Sequence, residues 1–316
     1  MPKLKIALLG AGSHSRINHL PSLAKYRDEH PDTIELAALC DLREEHAKEV
    51  AAEFGFAKVY TDLTEMLETE QPDACAAITP IPITLEISTK LMRAGMPVLI
   101  EKPPGDTVAE AREICDVAES TGTPAMVSMN RRFDPALTAA NAWRGDRPLE
   151  YLRGTIVRHN RREPEFIRGT AIHPMDAMRS VGGDITEWTL RMRTVSGIRW
   201  YFVDILFESG THGLLEVTPT AGSVAEYYEL FGADYRALAS AGDSSAGEVT
   251  CYESNELKSH DRLPDDTPRF VRNGTYAEMT AFIEAVRDKK PLYPSPKQVL
   301  QSVEICHAIA KEADSR

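Results

Sequence analysis

The first 125 residues limit the fold most, because short apolar runs there alternate with stretches of helical period. The runs Lys5–Leu9, Glu35–Cys40, Ala74–Thr79, Val98–Ile100 and Ala125–Ser128 lack the in–out alternation of half-exposed strands. They read as strands covered on both faces. Between them, Arg43–Phe54, Leu63–Glu68, Leu85–Ala94 and Val108–Ser120 carry helical spacing, and Gly95 and Gly122 stand where helices end in left-handed turns. Strands separated by helices pair in parallel through crossovers, so this half is expected to form a doubly wound α/β sheet.

Past about residue 150 the rhythm changes. Leu152–Arg158, Thr186–Val195, Arg199–Phe207, Gly213–Pro219 and Ala225–Phe231 are rich in β-branched and aromatic residues and are joined by turns such as Ser196-Gly197 and Ser209-Gly210. That pattern predicts a mostly antiparallel sheet. Helices are expected near His173–Val181, over Tyr276–Arg287 and over Pro296–Glu312. The expected organisation is a Rossmann domain over residues 1–125 and an α+β domain with a large, mostly antiparallel open sheet over 126–316, its terminal helices packing back on the first.

Composition removes several function classes. An apolar share of 42% and a charged share of 27% are ordinary for a globular chain. The net charge of −12 is spread along the sequence and opposes nonspecific nucleic-acid binding. No run approaches the roughly 20 apolar residues of a membrane helix, and the N-terminal apolar stretch is too short for a secretory signal. The scattered Cys40, Cys75, Cys115, Cys251 and Cys306 form no paired metal spacing and suit a reducing compartment, so the cytoplasm is the expected location. Asn273-Gly274-Thr275 is a glycosylation sequon without secretory context, and Gly242-Asp243-Ser244-Ser245 reads as a loop, since no strand–turn–helix surrounds it.

The chemistry starts at Gly10-Ala11-Gly12-Ser13-His14-Ser15, directly after the first strand. The first glycine permits a tight turn, and the second lets backbone approach a pyrophosphate over the opening N–H groups of the next helix. Ser15 takes the place of a third glycine. The second strand ends in Asp41, placed to accept hydrogen bonds from a ribose diol. A carboxylate there favours NAD, whereas Arg43 is able to receive the extra phosphate of NADP; both cofactors stay open.

Three further segments, Glu101-Lys102-Pro103, Asn130-Arg131-Arg132-Phe133-Asp134-Pro135 and His173-Pro174-Met175-Asp176, carry a resemblance. They are similar to signatures of the glucose–fructose oxidoreductase/inositol dehydrogenase/MocA-like (Gfo/Idh/MocA) family. The resemblance implies a Rossmann domain with an open-sheet partner domain, NAD(P)-dependent redox of a sugar or polyol, and a homodimer or homotetramer. It also implies a cis Lys102–Pro103 peptide and cofactor contacts from Thr79, Pro80, Glu101 and Lys102 beside those of Gly10, Gly12, Ser13, His14, Ser15, Asp41 and Arg43. An ammonium at position 102, at the end of a parallel strand, would hydrogen-bond the reacting oxygen. His173 would exchange the substrate hydroxyl proton. Asp176, three residues on and on the same helix face, would hold a substrate hydroxyl or orient the site.

Arg131, Arg158 and Arg162 complete the candidate substrate contacts. Arg153, Arg158, Arg161, Arg162 and Arg168 cluster ahead of His173 with only Glu163 and Glu165 opposing. The cluster suits an acidic or phosphorylated sugar, or else forms a solvated charged face. No third ligand has recognisable spacing, so no metal is expected. The chain departs from the family pattern at Gly169, where related dehydrogenases carry Asp, and at Ile81 and Thr84, where Asn and His are usual. The departures at Gly169 and Ile81 admit a dinucleotide-binding sensor without catalysis, and a reductase of a keto or imino compound on the same scaffold is the other enzyme reading.

Overall fold

The structure, a computed structural model, describes residues 2–243 and 247–316. Ser244 and Ser245, assigned above to a loop, lie outside the described residues. The chain divides into two compact units, Met1–Ser128 with Tyr276–Leu300, and Met129–Thr275 with Gln301–Arg316.

In the first unit, six strands among the described residues form one parallel sheet in the order β3-β2-β1-β4-β5-β6. They are β1 (Leu4–Leu9), β2 (Ile34–Cys40), β3 (Lys58–Tyr60), β4 (Ala74–Ala77), β5 (Val98–Ile100) and β6 (Ala125–Val127). This is the Rossmann order, with the reversal between β1 and β4. Connecting helices are α1 (Leu20–Glu29), α2 (Glu44–Phe54), α3 (Leu63–Glu70), α4 (Ile81–Arg93) and α5 (Val108–Thr121). Central strands are closed off from water on both faces: Ile6, Ala7, Leu8, Val98, Leu99 and Ile100 are all at 0% exposure. That is why they read as unbroken apolar runs. β3 escaped the sequence reading because three residues, Lys-Val-Tyr, at a sheet edge carry too little pattern. Gly122, at φ +66, ends α5 in the left-handed region as its position suggested. From the far end of the chain, α10 (Thr275–Arg287) contributes Met279, Phe282 and Ile283, each fully buried. Ser128 donates to the buried Glu278 at 2.7 Å.

In the second unit, an eight-stranded sheet runs β14-β13-β12-β11-β7-β10-β9-β8. Its strands are β7 (Tyr151–Val157), β8 (Ile185–Val195), β9 (Ile198–Phe207), β10 (His212–Thr218), β11 (Ala225–Gly232), β12 (Tyr235–Ser240), β13 (Glu248–Glu253) and β14 (Glu256–Arg262). All neighbours pair antiparallel except β7 with β10. Burial alternates along β7, β9 and β10, so one face is covered and the other half-exposed. The covering helices include α6 (Pro135–Arg144) and α8 (Ile172–Gly182), with short α7 (Phe166–Gly169) and α9 (Arg269–Arg272) nearby in sequence and α11 (Pro296–Ser315) closing the chain. α8 lies close on the sheet because Gly154 has no side chain; a Cβ there would sit 2.5 Å from Met178 Sδ.

Candidate active site

The glycine turn is tight where it must be and open where a ligand would come. Gly10 has φ +97, and a Cβ on it would lie 2.1 Å from the Ile78 carbonyl oxygen at the end of β4. Gly12 faces the opposite situation: a Cβ there meets nothing within 4 Å. Arg16 N–H donates to Gly12 O at 3.0 Å, so the helix starts over this turn with Ser13 and His14 exposed at its tip. Ser15 is buried, with its hydroxyl unpartnered among the described residues.

Asp41 reaches back from the end of β2. Its Oδ2 accepts from Ala11 N–H at 2.9 Å, and its Oδ1 accepts from Arg43 N–H and Nε at 3.0 Å each. Burial would raise the carboxyl, but the bonds from Arg43 and from both backbone N–H groups hold it below the usual aspartate range. Arg43 therefore lies over the carboxylate that would meet a ribose. Replacing Asp41 by Ala should move selectivity toward NADP by about 10–100-fold, the scale of one or two charge-assisted hydrogen bonds. Asp41→Asn keeps the acceptor for Ala11 and guards against simple loss of the turn. Kd values for the four dinucleotides check this, and unchanged selectivity would remove Asp41 from the ribose.

At the end of β5, Glu101 is buried between two imidazoles. His19 Nε2 lies 3.2 Å from Oε2 and His14 Nε2 3.5 Å from Oε1. Desolvation works against the charged carboxylate, yet His14, His19 and Lys102 together depress its pKa to about 2. The two histidines are five apart, a spacing that an ordinary α-helix puts on different faces. Ser15–His19 is wound as a π-helix, in which residues five apart stack, and Leu20 N–H donates to Ser15 O. Pro21, which has no N–H to offer the Ile17 carbonyl, gives this local change its cause. Sequence spacing could not reveal the His14, His19 and Glu101 cluster, whose ligand-type atoms lie within 4.8 Å of one another. Each imidazole faces its own carboxylate oxygen, which accounts for the cluster as hydrogen bonding. Lys102 follows at half-burial, and its bond to Pro103 is cis. Thr79 is buried against Thr84 at 3.2 Å, with Pro80 exposed ahead of α4, which starts one turn earlier than the sequence pattern placed it.

The second unit holds the histidine motif. His173 is half-buried in the first turn of α8. Asp176, one turn on, is 1% exposed, and Arg132 grips it with Nε to Oδ2 at 2.7 Å and Nη2 to Oδ1 at 2.8 Å. Ser302 adds a donor to Oδ1 at 2.8 Å. Both oxygens of this carboxylate accept bonds, so it ties α8 to Arg132 and Ser302.

Arg131 and Arg158, expected as substrate contacts, are engaged inside the second unit. Both are buried on Glu226, Arg131 through Nε at 2.8 Å and Arg158 through Nη2 at 2.9 Å. Tyr228 OH donates a third bond to Glu226 at 2.8 Å. The arginine cluster also divides: Arg153 pairs with Glu216 across the sheet. Sequence saw only Glu163 and Glu165 as counter-charges because the opposing carboxylates arrive from strands some 60 residues later. Asn273 and Thr275 of the sequon are buried and bonded to each other, so the sequon offers no acceptor on the surface. Among the described residues no helix is long and apolar enough to cross a membrane.

The oxidoreductase family with an NAD-binding Rossmann fold known as Gfo/Idh/MocA matches residues 4–129. The match lies in the first unit, over its parallel sheet, and makes that part of the chain similar to the family's NAD-binding domain. It is 30% identical to a D-apiose dehydrogenase of Paraburkholderia graminis over 198 residues, 58% of this chain and 51% of that relative. The chain thus spans about half the length of that relative. It is 26% identical over 270 residues to the scyllo-inositol 2-dehydrogenase (NAD+) of Bacillus subtilis, covering 77% of this chain and 76% of the relative. An Agrobacterium radiobacter oxidoreductase, solved with NAD+, L-tartaric acid and magnesium, superposes with TM-score 0.82 at 17% identity, covering 99% of this chain and 97% of that one. That likeness extends the shared fold to both units.

Against the Gfo/Idh/MocA pattern, the place of the usual Asp ahead of the histidine is structurally empty. A Cβ on Gly169 meets nothing within 4 Å, and no steric demand for glycine exists there.

Proposed function

We propose that this protein is a Gfo/Idh/MocA-family NAD(P)-dependent oxidoreductase acting on a CH–OH group of a sugar, polyol or related carbohydrate derivative. The observation that carries the reading is the turn itself: Gly10 packed hard on β4, Gly12 open, and Asp41 reaching across from β2 to Ala11 N–H. These residues fit a dinucleotide, with the backbone after Gly12 for the diphosphate and Asp41 with Arg43 for the ribose. When bound, the nicotinamide supplies or accepts the hydride. Lys102, beside the buried Glu101, holds the reacting oxygen and stabilises charge on it. His173 moves the hydroxyl proton. Asp176, clamped by Arg132, keeps the helix carrying His173 in place. The buried thiols Cys40, Cys75, Cys251 and Cys306 suit a reducing compartment such as the cytoplasm, and the half-exposed outer face of the second sheet suits a homodimer or homotetramer.

Fluorescence titration with oxidised and reduced NAD and NADP, followed by turnover over neutral and acidic sugars and polyols, tests the proposal. Saturable binding with turnover is expected. No binding at millimolar cofactor overturns it. Binding without turnover on any substrate favours the sensor reading.

A further inference from the structure

The second unit contains a cavity of about 660 Å³ whose walls carry a charge opposite to that of the whole chain. Arg161, Arg162, Arg168, Arg199 and Lys311 line it, against the carboxylates Glu163 and Asp314 alone. Those two acids are already taken within the wall, Glu163 by Arg161 and Asp314 by Arg199. Arg162 bonds only the neutral Asn160 side chain, at 2.9 Å. Arg168 and Lys311 have no carboxylate among the ion pairs of the described residues. Three cations without a carboxylate partner among the described residues thus line one cavity in a protein of net charge −12, where random placement would favour the reverse. Phe166 and Ile167, both buried, supply an apolar side, with the Arg161 guanidinium 5.3 Å from the Phe166 ring centroid. Nothing in the proposed redox site uses this cavity, whose walls include neither His173 nor Asp176.

We infer that this cavity is a binding site for a small organic anion carrying a phosphate or carboxylate group. Its volume is that of a small-molecule pocket, larger than a bare ion needs. Arg168 on α7 and Lys311 on α11 bring cations from separate segments to the same cavity, as recognition of an oxyanion requires. An apolar wall beside them accommodates the carbon skeleton. The anionic group has two possible sources, the proposed carbohydrate substrate itself or a separate effector.

Calorimetric titration with inorganic phosphate and with glucose 6-phosphate, at constant ionic strength, tests the site, with glucose as the uncharged control. The double variant Arg168→Ala/Lys311→Ala should weaken both anions by about tenfold or more, as loss of charge-assisted contacts predicts. Arg168→Lys should recover part of that loss. Phosphate bound over the glycine turn is common to all these proteins and cancels in the comparison. Unchanged anion affinity in the double variant overturns the inference, as does glucose binding as tightly as its phosphate. Dinucleotide affinity within twofold of wild type shows that the variant is folded. Should the dinucleotide fail to bind any of the proteins, the redox proposal falls while the anion comparison still stands. If the variant raises KM for acidic sugars alone, the anion belongs to the substrate. If all turnover is unchanged while phosphate binding is lost, it belongs to a separate effector. Either result supports the site.

Discussion

Turnover should fall by about 10²–10⁴-fold when Lys102 is replaced by alanine, the range for losing one group that transfers a proton or holds developing charge. Cofactor Kd should stay within a few-fold, because the turn at Gly10–Gly12 and the Asp41 carboxylate lie on other segments of the first unit. The substitution removes an ammonium next to a carboxylate that is already supported by His14 and His19, so Glu101 keeps two cationic or donating neighbours and the fold is spared. Steady-state kinetics beside fluorescence titration separate the effects. A rate unchanged by Lys102→Ala would dismiss the lysine from the chemistry, and a parallel loss of cofactor binding would make it a binding residue instead.

Glu226→Ala should cost about 3–5 kcal/mol of stability, the scale for removing one partner of a buried ion pair. Glu226 is 2% exposed and accepts from Arg131, Arg158 and Tyr228, so its loss strands two buried guanidiniums. Burial alone would raise its carboxyl, but Arg131 and then Arg158 outweigh that and hold it below the ordinary 4.5 of glutamate. A group whose folded-state pKa is depressed stabilises fully above its unfolded value and loses that contribution as pH falls through the folded one. The gap in urea midpoint between wild type and Glu226→Ala should therefore be widest near neutral pH and should narrow as pH falls below the ordinary glutamate range. A destabilisation under about 1 kcal/mol, or a gap independent of pH, would show that the cluster is solvated in solution.

Much of the fold is written locally. Fully buried parallel strands leave apolar runs that cannot be mistaken for half-exposed ones, and β1, β2, β4, β5 and β6 were legible to within about two residues at each end. β12, β13 and β14 were not, because their residues, with Glu, Lys, Ser, Arg and Asp on the outer face, lack the density of β-branched residues that marks β9. α6 went unread although Asp134 caps it and Pro135 opens it, a start signal available in the sequence. The candidate site divides along the same line. Residues acting through backbone position, such as Gly10, Gly12 and Asp41, carry their reason in neighbouring residues. Residues acting through pairing, such as Arg131 with Glu226 or His19 with Glu101, have partners 95 and 82 positions away, which one sequence does not disclose.

The parallel-sheet unit is discontinuous, Met1–Ser128 being completed by Tyr276–Leu300. A ribosome releases the first stretch long before the second exists. Until residue 300 has emerged, the surface destined for Met279, Phe282 and Ile283 stays wet, and Ser128 waits for its acceptor on Glu278. Vectorial synthesis thus cannot finish the cofactor-bearing half first, as it does for contiguous domains. A fragment cut at Ser128 would keep all six parallel strands yet expose the apolar surface that Met279, Phe282 and Ile283 cover, so it should aggregate where the whole chain stays dispersed.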